Sequence, residues 1–172
     1  MNRLWIFAAL SAVVLSGCSA AQPTWETVDD SIALDAGSYL DDAYIMEFDV
    51  PMQAQRNTSG SRTVWADENG DYEIVCETVL SSDVNAVIER VSGFSPDKLQ
   101  IVQTTRYSMP EYQFAWYASG EEGGRLCRAD VLTDGTYCYT LCVSCAEDVA
   151  AEYDSTVQAV FATLRLQENE GF

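Results

Sequence analysis

The chain carries six cysteines and no histidine, so any thiol chemistry must work without an imidazole partner. Cys138, Cys142 and Cys145 stand in a C-x3-C-x2-C spacing, which lets a loop wrap three thiolates around one iron–sulfur cluster. Here Cys138 and Cys142 fall on an expected strand, about 13 Å apart at ~3.3 Å per residue. They cannot share a cluster while that strand exists. Cys142-Val143-Ser144-Cys145 has the two-residue spacing of a redox pair and leads from an expected strand into an expected helix. Cys145 at the first helical turn would have its thiol pKa lowered by the helix dipole. Glu147 and Asp148 within the same turn oppose that effect.

Pairing is the other fate of these thiols. A two-residue turn at Asp134-Gly135 sets Cys127 directly opposite Cys142, at about 4.5–5.5 Å between Cα atoms and inside the range of a disulfide. The register makes this a hydrogen-bonded site, the less comfortable of the two pair types. Cys76, Cys138 and Cys145 have no assigned partner, and five buried free thiols are the alternative.

The missing histidine excludes Ser-His-Asp and Cys-His machinery and histidine-bound zinc. Asp67-Glu68-Asn69-Gly70-Asp71 imitates the opening of a calcium loop, but Tyr72 stands where its glycine belongs and Thr78 where its closing acid belongs. A hairpin turn explains the same residues, so neither metal nor cofactor is expected. No pair of carboxylates has a spacing that marks an acid and a base, and no catalytic residue is assigned. Nine basic against 27 acidic side chains give a formal charge of −18, with Lys98 the sole lysine. Nucleic acid is thereby excluded as a partner, because phosphate binding needs clustered cations. Tyr112, Phe114 and Trp116 line one face of an expected strand, with Tyr137 and Tyr139 on another. Such rows serve either as core packing or as a partner face.

Asn2-Arg3 followed by the apolar run Leu4 to Leu15 reads as a cleavable signal. Twelve residues rise about 18 Å as a helix, short of a ~30 Å hydrocarbon core. The run ends in Leu15-Ser16-Gly17-Cys18, which resembles the lipobox of bacterial lipoproteins. That resemblance implies acylation of Cys18, as diacylglyceryl with palmitate-type chains, and anchorage on the extracytoplasmic face of a bacterial cell envelope. Residues 1–17 are therefore read as signal peptide and 18–39 as lipidated cysteine plus acidic linker. Residues 40–167 form the domain and 168–172 the tail. An acidic body beside an anionic membrane is repelled, so the lipid supplies the attachment.

The elements that must position these residues are short strands and two helices. Tyr44 to Val50 alternates and stops at Pro51; residues 51–60 read as a polar loop. Arg62 to Ala66 and Tyr72 to Val79 flank Asn69-Gly70, whose turn sets Trp65 opposite Ile74 and Thr63 opposite Cys76. Val84, Val87, Ile88 and Val91 predict a helix capped by Ser82 and closed by Gly93. Strands follow at about 99–107, 112–119, 125–133 and 136–143. The Asp134-Gly135 hairpin puts Cys127, Ala129, Val131, Cys138, Thr140 and Cys142 on one face. Leu126, Leu132, Tyr137, Tyr139 and Leu141 lie on the other, with Arg128 and Asp130 among them. Ser144-Cys145-Ala146-Glu147 reads as a capping box opening a last helix to Leu164, with Arg165 near its negative end and no strand after it.

This order predicts an α+β chain, an α/β/α sandwich on a mostly antiparallel sheet of about 6–7 strands with two main helices. The early hairpin, the mid-chain helix, Gly135-Thr136-Tyr137-Cys138-Tyr139-Thr140-Leu141 and the closing helix resemble the PsbP/Mog1-type lipoproteins over roughly residues 38–166. The resemblance implies a module that binds a protein or small-molecule partner, or assists assembly, without catalysis. The alternative is a thiol-redox or cysteine-metal protein using the Cys138–Cys145 region.

Overall fold

The computed structural model describes residues 24–29, 42–120 and 123–169. Two antiparallel sheets and two helices build an α+β sandwich. A three-stranded sheet joins β1 (Trp25–Asp29), β2 (Ile45–Pro51) and β10 (Arg165–Gln167), with β2 in the middle. A seven-stranded sheet has the order β3-β4-β5-β9-β8-β7-β6. Its strands are β3 (Gln55–Ser59), β4 (Arg62–Ala66), β5 (Tyr72–Leu80), β6 (Val102–Arg106), β7 (Met109–Gly120), β8 (Gly123–Thr133) and β9 (Tyr137–Ala146). Helix α1 (Val84–Ser92) follows β5, and α2 (Ala150–Thr163) follows β9.

Alternation dictates which side chains enter the core. Met46, Phe48 and Val50 on β2 are fully buried, facing Trp65 of β4 and Ile74 and Cys76 of β5. The Asn69-Gly70 turn gives the expected register, with Trp65 opposite Ile74 and Thr63 opposite Cys76. Gly70 adopts φ +77, the left-handed conformation this turn needs. Asp67 accepts from the backbone N–H of Asn69 and Tyr72, so its carboxylate is used by the hairpin. Among the described residues no group of carboxylates and thiols is arranged to hold a metal.

The large sheet is covered on both faces. Helix α1 packs Val87 and Ile88 against Ala129, Val131, Cys138 and Phe114. On the opposite face α2 and the small sheet enclose Leu132, Tyr139, Leu141, Val143 and Cys145 with Val160 and Phe161. The small residues of β8 and β9 let α1 approach closely, and Gly93 closes that helix in the left-handed conformation.

Several boundaries differ from the sequence reading. Residues 25–29, read as linker, form β1, because Trp25 and Val28 have a core to pack on. Residues 51–60, read as loop, contain β3; all of its side chains are exposed, so it carries no alternation to detect. Asp83, not Ser82, caps α1, accepting from the N–H of Asn85 and Ala86. The capping box at Ser144 does not open a helix. Strand β9 continues to Ala146, held by pairing of Ser144 with Glu73 and Cys145 with Tyr72, and α2 starts at Ala150. A strand does follow α2: β10 pairs with β2, and Arg165 ion-pairs with Glu47. The signal segment, Cys18 and the end of the tail lie outside the described residues.

Candidate functional site

The β8–β9 register decides the fate of the cysteines. Asp134 closes the turn instead of sitting inside it: its carboxylate accepts from the N–H of Thr136 and Tyr137, both at 2.7 Å. The pairing therefore shifts, with Ala129 opposite Cys142 and Cys127 opposite Ser144. Cys127 and Cys142 become diagonal neighbours on the α1 face, and diagonal pairs are about 7–8 Å apart, beyond disulfide reach. The expected Cys127–Cys142 bridge is accordingly absent, and among the described residues Cys127, Cys138, Cys142 and Cys145 form no disulfide. Cys145 lies on a strand on the opposite face and receives no helix dipole. Burial pushes the Cys145 thiol up to about 11 and Cys142 to about 12, the reverse of activation. The Cys138–Cys145 redox reading loses its geometric basis.

The aromatic residues do not share one face. Tyr112, Phe114 and Trp116 stand opposite Val131, Ala129 and Cys127 on the α1 side, where Phe114 stacks on Trp116 at 5.5 Å. Tyr137 and Tyr139 point to the other side and are buried. The hydroxyl of Tyr139 donates to Asp134 at 2.7 Å and accepts from the N–H of Tyr44. It ties the β8–β9 turn to the entry of β2. Strand parity separates the two groups, so they form no common partner surface.

On the α2 side of β7, β8 and β9 the side chains form cross-strand rows. One row is Ala115–Arg128–Val143 and the next is Tyr117–Leu126–Cys145. Above them α2 presents Ala150, Asp154 and Val157, spaced four and three residues apart and hence on one helical face. Floor and wall enclose an open groove of about 410 Å³. The alanines at 115 and 150 create the room. Leu126 is 49% exposed in it, beside exposed Ala115 and Tyr117, whereas Leu132, Leu141 and Val143 on the same face are core. At one end Tyr117 lies over Gly124 and donates to Glu147 at 2.7 Å. A Cβ at Gly124 would fall 1.7 Å from the Tyr117 hydroxyl oxygen, so this glycine is what admits the ring.

Behind the groove the next rows of the same face hold a buried charge cluster. Arg106 Nε lies 2.7 Å from Glu111 and its terminal nitrogen 3.6 Å from Asp130. The same guanidinium donates to the carbonyls of Phe161 and Leu164. A cation thus meets the negative end of α2, the role expected of Arg165. Asp130 has no solvent exposure, and its Oδ1 makes no hydrogen bond. Burial pushes its carboxyl up to about 6, against the pull of Arg128 and Arg106. The sequence signal for this cluster was Arg128 and Asp130 standing among apolar residues on an expected covered face. Arg106 and Glu111 gave none, since their meeting depends on the β6–β7 hairpin.

No protein-family model matches the chain, and no curated protein matches its sequence. Solved structures do. The cyanobacterial PsbP (CyanoP) of Synechocystis sp. PCC 6803 superposes with a TM-score of 0.57 at 15% identity, over 88% of this chain and 98% of that one. The fold is similar to that of PsbP and Mog1. The Ran-binding protein Mog1p of Saccharomyces cerevisiae gives a TM-score of 0.52 at 9% identity, over 88% of this chain and 100% of that one. LpqN of Mycobacterium tuberculosis, involved in cell envelope biogenesis, gives 0.51 at 12%, over 83% and 91%. At these identities the PsbP/Mog1 likeness is one of fold.

Proposed function

We propose that this chain is a lipid-anchored binding or assembly module on the extracytoplasmic face of a bacterial cell envelope, without catalysis of its own, and that its partner seats in the groove between β7–β9 and α2. The observation that carries the reading is the groove itself: about 410 Å³ of open space, floored by exposed Leu126 where a closed core would be expected. The lipobox-like Leu15-Ser16-Gly17-Cys18 supports the anchor, and similarity in fold to LpqN supports an envelope module. A photoreactive amino acid at Tyr117 in the full chain, irradiated in whole cells, yields a discrete adduct that Leu126→Arg abolishes. Adducts that are absent, or indifferent to Leu126→Arg, refute the groove as the binding site. Cys18→Ala separately removes labelling by an alkyne fatty acid; label that persists in this variant refutes the anchor.

A further inference from the structure

Of the described basic side chains, most are engaged. Arg90 pairs with Glu77, Lys98 with Asp97, Arg106 with Glu111 and Asp130, and Arg165 with Glu47. Arg56 donates to the carbonyl of Asp29, and Arg125 to those of Gly70 and Ser144. Arg62 and Arg128 alone make no hydrogen bond or ion pair with a described residue. Arg62 is exposed on β4. Arg128 is partly buried, lines the groove, and has its guanidinium 4.4 Å from the centre of the Phe161 ring. Asp130, two residues along, attracts it, and Arg128 is the leading cationic influence on that carboxylate; no hydrogen bond or ion pair joins the two, and the neighbours of Asp130 Oδ2 are Arg106 at 3.6 Å and Gln113. Arg128, whose guanidinium carries five donors and lies against the Phe161 ring, thus lines a groove whose other walls are largely apolar.

We propose that the groove binds a single-chain carboxylate amphiphile of the fatty-acid type, its carboxylate on Arg128 and its hydrocarbon along Ala115, Leu126, Val143, Ala150 and Val157. This rests on the groove being the binding site and names its ligand. A volume of about 410 Å³ lies in the ~300–1,000 Å³ range of small-ligand sites. The backbone groups of central strands β7, β8 and β9 are used in their ladders, and those of α2 beyond its first turn are used within the helix. The floor therefore offers a peptide or a sugar few partners, and buried amides or hydroxyls would be left unsatisfied. A hydrocarbon tail makes no such demand. The planar fork of Arg128 matches a carboxylate. Asp154, the one carboxylate on the wall, favours a singly charged head over a doubly charged one. The Cys145 thiol, kept neutral by burial, serves as apolar wall.

The test uses the full chain in washed membranes, with a diazirine- and alkyne-bearing fatty acid as the probe. After irradiation, labelled peptides map to 115–128 and 143–157. Dodecanoate competes at least ten-fold better than dodecanol or dodecyltrimethylammonium. Each methylene added across a saturated carboxylate series strengthens competition about four-fold while the tail still gains contact, from ~0.8 kcal/mol per buried CH₂. Arg128→Gln erases the preference for dodecanoate over dodecanol, Arg128→Lys retains part of it, and Ala115→Phe blocks labelling in a chain that keeps its charges. Label elsewhere, label unaffected by Ala115→Phe, or dodecanol competing as well as dodecanoate overturns the ligand class. If that happens while the Tyr117 adduct still depends on Leu126, only the ligand is wrong; if both fail, the groove is not the site.

Discussion

Replacing Asp130 by asparagine separates the cost of a buried charge from the rest of the cluster. The carboxyl is fully buried, and its folded pKa of about 6 lies above the 3.8 of an exposed aspartate. The folded state therefore holds the proton more tightly than the unfolded chain. The ionised form costs stability at neutral pH, and that cost is relieved as pH falls through about 6, completely so below about 4. The gap between 3.8 and about 6, at roughly 1.4 kcal/mol per pH unit, amounts to about 3 kcal/mol. Roughly 2 kcal/mol of it appears between about pH 7.5 and 4.5. The substituted amide does not titrate. Relative to Asp130→Asn, the unaltered chain should gain about 2 kcal/mol over that interval, while the other carboxylates titrate in both proteins and cancel. Urea unfolding of the chain from residue 19 onward, followed by tryptophan fluorescence at several pH values, measures this. Parallel stability curves would refute the reasoning, showing that Arg106 and Arg128 hold the carboxylate ionised in spite of its burial.

Arg106→Met should destabilise by about 3–5 kcal/mol, since it leaves Glu111 and Asp130 buried without their cation and α2 without its C-terminal donor; urea unfolding checks it, and a loss under about 1 kcal/mol contradicts it. Cys142 and Cys145 should alkylate slowly at about pH 8, as expected for thiols pushed to about 12 and 11. Peptide mass spectrometry against time reads this, and a Cys145 midpoint below about 7 would restore the redox reading. Gly124→Val should displace the Tyr117 ring and break its bond to Glu147, costing about 1–2 kcal/mol. If Glu147→Gln then costs as much in the variant as in the parent chain, the double-mutant cycle shows that the bond survived the substitution.

Local pattern and charge settled much of this protein. The alternation of β2, the Asn69-Gly70 turn and the apolar stripe of α1 each read correctly, because each is an interaction between residues a few positions apart. The excess of carboxylates and the absence of histidine narrowed the chemistry without any structure. Tertiary pairing decided the rest. Whether Ser144 begins a helix or continues a strand turns on the edge that β5 offers to β9, some seventy residues away. That choice carried Cys145 from a helix terminus to a buried strand face. Placing Asp134 at the edge of its turn instead of inside it moved Cys127 off Cys142 and left both thiols free. The aromatic row divided between two faces for a similar reason: parity within a strand is local, but which face meets which helix is not. The groove, with Arg128 in its lining, arises only where β7, β8, β9 and α2 converge. It depends on small residues at Ala115 and Ala150 leaving space between distant segments, a property that no single stretch of the chain possesses.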